Sequence, residues 1–433
     1  MGKFKHLVHG ADFQISALAL IILLTYGMYI AITTIGGGGQ DNFAAASFSN
    51  LAVNATAGVF GFISGGILNY LGPRLAVFLS GLPFALYTGS LLAHTIIGND
   101  AFVIVSGALL GIGNVVMWTA QGLFALSYSS EGSIGASLGF FLMMYSVSGV
   151  IGGAITLGLN FRMESSGLSV ATYVAFIILA VIGVGLSFLL VPSASVRRAD
   201  RSPAKNTPFP GWRVEILALA RAFVNRRMLL AAPFTFITQW HAPYQFNGYN
   251  GSLFSIRSRG LNLLFYRLAS ILSSYVYARI LDRPSWTIKR RGMVGTALLV
   301  ACFVGSWAGG LYVQWHYPSS SPSPLMDLAE SRYWATWIIF VVWGFIDIAL
   351  NMMGLWLIAC FTSDPSEVAM FTGAYTAWQA LGATVAWVID ATGVDYRYQA
   401  IIDVVVFSVG FVFLGIVVST LPNSVHYDEA NAR

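Results

Sequence analysis

The residues of this chain that could do chemistry are a few acids, bases and amides inside long apolar stretches. Asp347 lies near the middle of one such stretch, and Asn351 follows one helical turn later on the same face. A charge at the centre of a bilayer costs at least about 2.5–3.5 kcal/mol, so a protein that keeps one there uses it or pairs it. We expect Asp347 to be a proton- or ion-sensitive carboxylate in a polar pocket. A structural Asp347–Asn351 hydrogen bond is the alternative.

Other charged residues in the apolar stretches indicate structural roles. Arg267 lies in the outer third of the eighth stretch, and Asp390 and Asp403 lie near the outer ends of the eleventh and twelfth. We expect Arg267 to pair with Asp403 or Asp390 and so to close the outer side. His241, in the middle of the seventh stretch, is interpreted as a satisfied buried histidine rather than a proton carrier.

Amide and aromatic side chains complete a candidate pocket. Asn114, Trp118 and Gln121 are spaced to share one face of a helix. Uncharged polar and aromatic groups suit a ligand of moderate polarity, and hydrogen bonding between helices explains them equally well. The predicted cavity residues are Asn114, Trp118, Gln121, His241, Gln245, Asn247, Asp347, Asn351 and Gln379.

The sequence carries no phosphate loop, no metal-spaced His/Cys cluster and no nucleophile elbow. We therefore predict a protein that is not an enzyme and that has no cofactor and no bound metal. The chain is 56% hydrophobic and only 9% charged, whereas a soluble domain usually carries about 25% charged residues. Its basic residues sit mostly in alternate loops without an aromatic–basic platform, which argues against a nucleic-acid partner. The expected surroundings are a lipid bilayer.

Twelve apolar stretches must position these residues. About 20 apolar residues are needed to cross a bilayer as a helix, and a lipid-facing segment must satisfy its own backbone hydrogen bonds, which makes every stretch a helix. The predicted fold is an all-α membrane protein with twelve transmembrane helices in two six-helix bundles. The predicted spans are 15–35, 44–71, 75–97, 101–128, 134–160, 169–191, 229–256, 261–281, 293–315, 333–361, 369–391 and 399–421.

Basic residues predict the orientation. Most Lys and Arg residues of the loops fall on the side of the N-terminus, and basic loops stay in the cytosol. We therefore expect a multi-pass protein with both termini cytosolic, in either the plasma membrane or an endomembrane. The predicted organisation is a cytosolic N-terminus (1–14), an N-terminal bundle (15–191), a cytosolic linker (192–228) with an amphipathic helix from Trp212 to Arg227, a C-terminal bundle (229–421) and a cytosolic tail (422–433).

A turn motif separates the second and third spans. Gly65, Asn69, Gly72 and Arg74 fit the pattern G-x-x-x-[D/N]-x-x-G-x-R. The glycines permit a tight turn and close helix contact, and Arg74 could hold a helix end or a carboxylate. We group Asn69, Gly72 and Arg74 with Arg267, Asp390 and Asp403 as gating or structural residues. The motif and the layout of two halves joined by a long inner segment resemble the major facilitator superfamily.

Longer stretches resemble one branch of that superfamily. The chain is similar to the uncoordinated-protein-93-like (Unc-93-like) family, fungal type, in NYLGPRLAVFLSGLPFALYTGSLL, WTAQG, YQFNGYNGSLFSIRSRGLN, WGFIDIALNMM and GAYTAWQALGATVAWVID. The resemblance implies a transporter that moves a small organic solute or secondary metabolite by alternating access, with proton coupling as an open option. It also implies an alternative, a non-transporting accessory protein that binds or traffics another membrane protein.

Overall fold

The computed structural model describes residues 8–40, 43–128, 134–162, 167–197, 225–317, 325–361 and 365–424, with isolated positions between 211 and 221. Within these residues twelve α-helices follow one another, and a π-helical segment, Tyr244–Gly251, follows the seventh. The α-helices are α1 Ala11–Leu24, α2 Tyr26–Ile35, α3 Ala44–Ile97, α4 Asp100–Ser127, α5 Ile134–Leu159, α6 Val170–Leu186, α7 Arg226–Ile237, α8 Ile256–Leu281, α9 Ile288–His316, α10 Ser331–Phe361, α11 Pro365–Ala391 and α12 Tyr396–Thr420.

The helices correspond to the twelve predicted spans. The first span consists of α1 and α2, which are separated at Thr25, and α3 contains the second and third spans. The predicted turn between those two spans lies at Gly72, whose φ of 75° is a left-handed conformation that glycine adopts readily. Eight helices within the described residues are long and apolar enough to cross a membrane. The prediction of an all-α, multi-pass membrane protein is confirmed.

Two hydrophobic cores hold the two bundles. The core of the first bundle includes Leu18, Phe84 and Phe176, and the core of the second includes Trp307 and Trp343. Because lipid is as apolar as a leucine side chain, close packing rather than water exclusion must hold such helices together.

Small residues bring the two bundles together along α5 and α8. A Cβ at Gly153 would lie 2.7 Å from the backbone nitrogen of Leu264, and a Cβ at Gly260 would lie 2.6 Å from that of Leu157. Neither position has room for a side chain, so the two backbones are in direct contact. This contact carries the central site described below.

Two predicted segments cannot be compared with the structure. The amphipathic helix from Trp212 to Arg227 lies mostly outside the described residues, and α7 begins at Arg226. The Ser/Pro-rich loop from Pro318 to Pro324 lies entirely outside them.

Candidate functional site

An interruption in the seventh span places His241 at the centre of the protein. Helix α7 ends at Ile237, and the chain continues through a turn into the π-helical segment. Pro243 cannot donate a backbone hydrogen bond, which favours a break at this point. His241 therefore lies on the interruption rather than within a continuous helix, contrary to the prediction. Such π-helical segments are frequent at functional sites.

His241, Arg267 and Asp347 form a cluster that we call the central charge cluster. Nη1 of Arg267 lies 3.3 Å from Oδ2 of Asp347, and Nε2 of His241 lies 3.5 Å from Oδ1 of the same carboxylate. The Arg267 side chain is fully buried, and 5% of the Asp347 side chain is exposed. Both distances are long for charged pairs, whose N···O separations are typically about 2.7–2.9 Å. The carboxylate is thus flanked by two bases without being tightly held by either.

The N-terminal bundle contributes to this cluster. Arg267 donates from Nη1 to the Tyr145 hydroxyl (3.2 Å) and from Nη2 to Oγ1 of Thr34 (3.2 Å). Its guanidinium also lies 5.0 Å from the ring centre of Tyr145, within the range of a cation–π contact. Arg267 therefore bridges the two bundles.

The predicted partners of Arg267 are wrong. It pairs with Asp347 and not with Asp390 or Asp403. The reason is depth: Arg267 lies eleven residues into α8, or about 16 Å along the helix at 1.5 Å per residue, whereas Asp390 is the last residue but one of α11. Arg267 is near the middle of its helix rather than in the outer third.

The alternative, an Asp347–Asn351 hydrogen bond, is present in the structure, but it joins the Asn351 side chain to the backbone of Asp347 and not to its carboxylate. Asn351 donates to the backbone carbonyl of Asp347 (2.9 Å). Its own Oδ1 accepts from Nε2 of Gln379 (3.0 Å) and from the Tyr375 hydroxyl (3.2 Å). Gln379 also donates to Oγ1 of Thr238 (3.0 Å). We call Thr238, Asn351, Tyr375 and Gln379 the amide cluster; it lies one helical turn from Asp347.

Among the predicted residues of α4, Trp118 contacts the centre of the protein through aromatic rings. Trp118 packs edge-on against Tyr26 with 5.2 Å between ring centres, and against Tyr145 with 6.1 Å. Asn114 has a buried Oδ1 without a hydrogen-bond partner within the described residues. Gln121, one turn beyond Trp118, is buried. Aromatic surface and an unused amide acceptor thus lie on the side of the N-terminal bundle.

Asn247 and Asp390 belong to a second polar group, which we call the latch. Asp390 Oδ2 accepts from Oγ of Ser47 (2.5 Å) and Nδ2 of Asn247 (2.8 Å), and Asn247 Oδ1 accepts from the backbone N–H of Gly37 (2.7 Å). Gln399 donates to the other oxygen of Asp390 (3.4 Å). The latch joins the two bundles at the end that carries residues 36–40 and the connection from the π-helical segment to α8. Asn247 is therefore a bundle-to-bundle contact rather than a cavity residue.

The backbone conformation of residues 36–39 forms one side of the latch. Gly37 has a φ of 57°, within a run of four glycines that all have positive φ. Only glycine adopts such a run readily. A Cβ at Gly36 would lie 2.6 Å from the α-carbon of Gly251, so this turn must pack directly against the π-helical segment.

The remaining predicted residues lie apart from the centre. Nε of Arg74 donates to the carbonyl of Leu190 (2.7 Å), beyond the end of α6, which matches one of its two expected roles, and Asn69 is exposed. Gln245 is buried and accepts from the Tyr266 hydroxyl at 3.4 Å. Asp403 accepts from Nε1 of Trp240 at 2.8 Å.

Sequence reasoning missed the hydroxyl groups of the site. Thr34, Ser47 and Tyr145 supply the N-terminal side of both polar groups. A hydroxyl in an apolar helix carries little signal because it can bond its own backbone, as Thr34 also does to Ile30 (2.7 Å). Within the described residues no group of three His, Cys, Asp or Glu side chains could hold a metal ion.

Comparisons with known proteins agree with this architecture. Residues 45–414 match the family described as "Ion channel regulatory protein UNC-93". UNC93-like protein 1 of Arabidopsis thaliana is 32% identical over 424 residues, which are 97% of this chain and 92% of that protein. Notoamide biosynthesis cluster protein O' of Aspergillus versicolor is 23% identical over 383 residues, which are 88% of this chain and 82% of that protein.

Solved transporter structures share the fold. The peptide transporter POT superposes with a TM-score of 0.61 at 12% identity, covering 94% of this chain and 93% of its own. A D-xylose–proton symporter superposes with a TM-score of 0.59 at 10% identity, covering 95% and 98%. These likenesses show the fold of the major facilitator superfamily.

Proposed function

The chain belongs to the UNC-93 family of membrane proteins, and on that premise we propose that it is a secondary transporter that moves a small organic solute by alternating access. The observation that carries this proposal is the central charge cluster. Arg267 and Asp347 come from the C-terminal bundle, and Tyr145 and Thr34 come from the other. Arg267, Asp347 and Tyr145 lie near the middle of their helices, and Thr34 lies at the end of α2. A buried charge at the interface of two bundles is where transporters of this fold place their substrate and coupling-ion sites.

The geometry of Asp347 supports proton coupling. Its carboxylate lies 3.3 Å from Arg267 and 3.5 Å from His241, so a proton or a polar group of the solute could replace either contact. When Asp347 is neutral, Arg267 loses its counter-charge and keeps Tyr145 and Thr34 of the opposite bundle. Protonation would thereby change how firmly the two bundles are held together.

The surroundings favour a solute that is uncharged and partly aromatic. Tyr26, Trp118 and Tyr145 offer ring faces and edges, and Oδ1 of Asn114 accepts no hydrogen bond from any described residue. The Aspergillus relative is named for a biosynthesis cluster, which supports a secondary metabolite as the cargo and export as the direction. We further propose that the N-terminus and the C-terminus both lie in the cytosol, as the distribution of basic residues indicates.

The test is flux in proteoliposomes made with the purified protein. Candidate metabolites are loaded, and efflux is measured with and without an imposed pH gradient. We expect flux that depends on pH in the unaltered protein and flux without pH dependence in Asp347→Asn. If the flux through Asp347→Asn still depends on pH, this carboxylate is not part of the coupling mechanism.

A second function is favoured by the description of the matched family as ion channel regulators. In that case the chain is an accessory protein that binds another membrane protein and transports nothing. The two proposals differ in their response to Trp118→Ala, which alters the aromatic surface at the centre. If the protein is a transporter, cells that carry this variant should show the phenotype of cells that lack the gene. If it is an accessory protein, the cells should be normal and the partner should be recovered together with the variant in mild detergent.

A further inference from the structure

His94 lies near the end of α3 and faces a hydrogen-bond acceptor with each of its ring nitrogens. Nε2 lies 2.7 Å from Oδ1 of Asp100, and Nδ1 lies 3.1 Å from Oε1 of Gln40. The side chain of His94 is 15% exposed and that of Asp100 is 66% exposed, whereas Gln40 is buried. The histidine therefore joins the exposed surface to the interior, at the end of the protein that carries the latch.

The orientation of the Gln40 amide follows from its other contacts. Its Nε2 donates to the backbone carbonyl of Leu91 (3.0 Å) and to the Tyr173 hydroxyl (2.6 Å). Because a carbonyl only accepts, the amino group must face Leu91 and the amide oxygen must face His94. The hydroxyl of Thr95 donates to the same oxygen (3.2 Å). Nδ1 of His94 must therefore carry a proton to bond Gln40.

The second ring nitrogen needs a proton as well. An ionised aspartate offers acceptors alone, so Nε2 of His94 must donate to Asp100. The two contacts together require an imidazolium, and if the proton moved to Asp100 the pair would still hold it. A neutral imidazole has a single N–H and would leave one of the two oxygens facing a bare nitrogen. The arrangement thus binds one proton more than a neutral histidine beside a carboxylate.

Gln40 connects this proton to the latch. The Tyr173 hydroxyl, which accepts from Gln40, donates to the backbone carbonyl of Gly38 (2.8 Å). Gly38 belongs to the run of glycines with positive φ, and the N–H of Gly37 in that run donates to Asn247 of the latch (2.7 Å). A chain of hydrogen bonds therefore leads from the exposed surface to the contact between the two bundles.

We propose that His94 is a proton-binding site that controls the latch. The protonated side chain holds Gln40, and through it the glycine run, in the position that bonds Asn247. When the proton passes to water, one of the two contacts of His94 is lost and the glycine run loses its support. Histidine is the side chain that ordinarily changes its charge between pH 5 and pH 8.

The direction of the pH effect follows from the number of bound protons. The closed latch holds one proton more than the open latch, so each unit of rising pH shifts the equilibrium towards opening by up to about tenfold. The titratable side chains in contact with His94 and Gln40 are Asp100 of α4 and Tyr173 of α6. A tyrosine ordinarily stays neutral up to about pH 10, which leaves the pair of His94 and Asp100 to respond below that pH.

The experiment measures the distance between the two bundles at this end by double electron–electron resonance. Nitroxide labels are attached to cysteines introduced at the exposed Val170 and Tyr398, in the purified full-length protein without Cys302 and Cys360. We expect a short distance for the closed latch and a longer one for the open latch. The ratio of the long to the short distance should rise at least threefold between pH 6 and pH 8.

Two variants and a matched control separate His94 from other causes of pH dependence. His94→Gln does not change its charge and should give the same ratio at both pH values. In Asp100→Asn the amide can donate to the bare nitrogen of a neutral His94, so both contacts survive and the latch should stay closed at pH 8. His316→Gln, at an exposed histidine that contacts a carbonyl of its own helix, should keep the full change.

Size-exclusion chromatography shows whether each variant is folded, and if His94→Gln is not, Asp100→Asn decides. A constant ratio in the unaltered protein, a pH-dependent ratio in His94→Gln or an open latch in Asp100→Asn at pH 8 would each overturn the proposal. Asp347→Asn should keep the change, and its loss there would assign the effect to the central charge cluster instead. A pH-dependent distance in a protein without solute flux supports the proton site and contradicts only the transport function.

Discussion

The side chain of Arg267 lies directly against the α-carbon of Gly149, in the space that a side chain at position 149 would fill. A Cβ there would lie 2.8 Å from Cδ and 2.9 Å from Nε of Arg267. The missing side chain on α5 is therefore what allows the guanidinium to pass from α8 to Tyr145. The interface between the bundles and the central charge cluster depend on the same glycine.

Gly149→Ala should disturb both the interface between the bundles and the central charge cluster. We expect a loss of about 1–3 kcal/mol in stability, the usual cost of overpacking, together with reduced flux because Arg267 is displaced. Gly158→Ala on the same helix is the matched control, since a Cβ there meets nothing within 4 Å. That change should be neutral or stabilising by up to about 1 kcal/mol, from helix propensity. Thermal unfolding in mild detergent measures both. Equal stability of the two variants would contradict the close contact with Arg267.

The pairing of Arg267 with Asp347 predicts strong non-additivity. Asp347→Asn leaves the fully buried Arg267 without its counter-charge, and removal of one partner of a buried pair costs about 3–5 kcal/mol. Arg267→Gln should cost a similar amount. The double variant should be more stable than either single variant, because no uncompensated charge remains. A double-mutant cycle of unfolding free energies tests this, and simple addition of the two single effects would mean that the charges do not interact.

The sequence located the charged residues of the site but not their partners. Asp347 and Arg267 were detectable because any charge within a long apolar stretch is unusual. Their pairing was not, because it depends on depth. The sequence predicts that the eighth span begins at residue 261, whereas α8 begins at Ile256. This difference of more than one turn moves Arg267 from the outer third to the middle of the helix.

The break at His241 was missed for a different reason. Apolar composition predicts that a segment crosses the membrane, and it does not distinguish a continuous helix from an interrupted one. The twelve-span layout needed only the composition of each stretch, so it was predictable. The latch needed the relative position of helices distant in sequence: Ser47 and Asp390 are 343 residues apart.

Loss of the Asp390 carboxylate should open the latch. Asp390→Asn replaces an acceptor that Ser47 and Asn247 share, and hydrogen bonds to a charged group contribute about 1.5–3 kcal/mol each. A cysteine introduced at the buried Ala46, in a background without Cys302 and Cys360, should then react with a maleimide at least tenfold faster. Asp395→Asn, which changes an acid near the same end outside the latch, should leave the rate unchanged. Equal rates in both variants would show that the latch does not control access.

The ion pair that fastens residues 325–330 to α8 gives a prediction about pH. Arg257 donates to both oxygens of Asp327 (2.7 and 2.6 Å), and Ser255 donates to one of them (2.6 Å). Burial raises the pKa of the Asp327 carboxyl, but these hydrogen bonds outweigh it and lower the pKa to about 2. An unfolded Asp has a pKa of about 3.9, so the folded state favours the ionised form.

The contribution of Asp327 to stability is therefore fully present above pH 4–5 (roughly one unit above the unfolded pKa) and is lost as the pH falls towards 2. The size of this contribution follows from the difference between the folded and unfolded pKa values, at about 1.4 kcal/mol per pH unit, and is roughly 2.5 kcal/mol. Asp327→Asn should lower the unfolding temperature at pH 7, and the difference from the unaltered protein should shrink between pH 4 and pH 2. Asp282→Asn, at an exposed acid that caps α8, should show no such convergence. A constant difference for Asp327→Asn down to pH 2 would mean that the carboxylate is not held in its ionised form by Arg257.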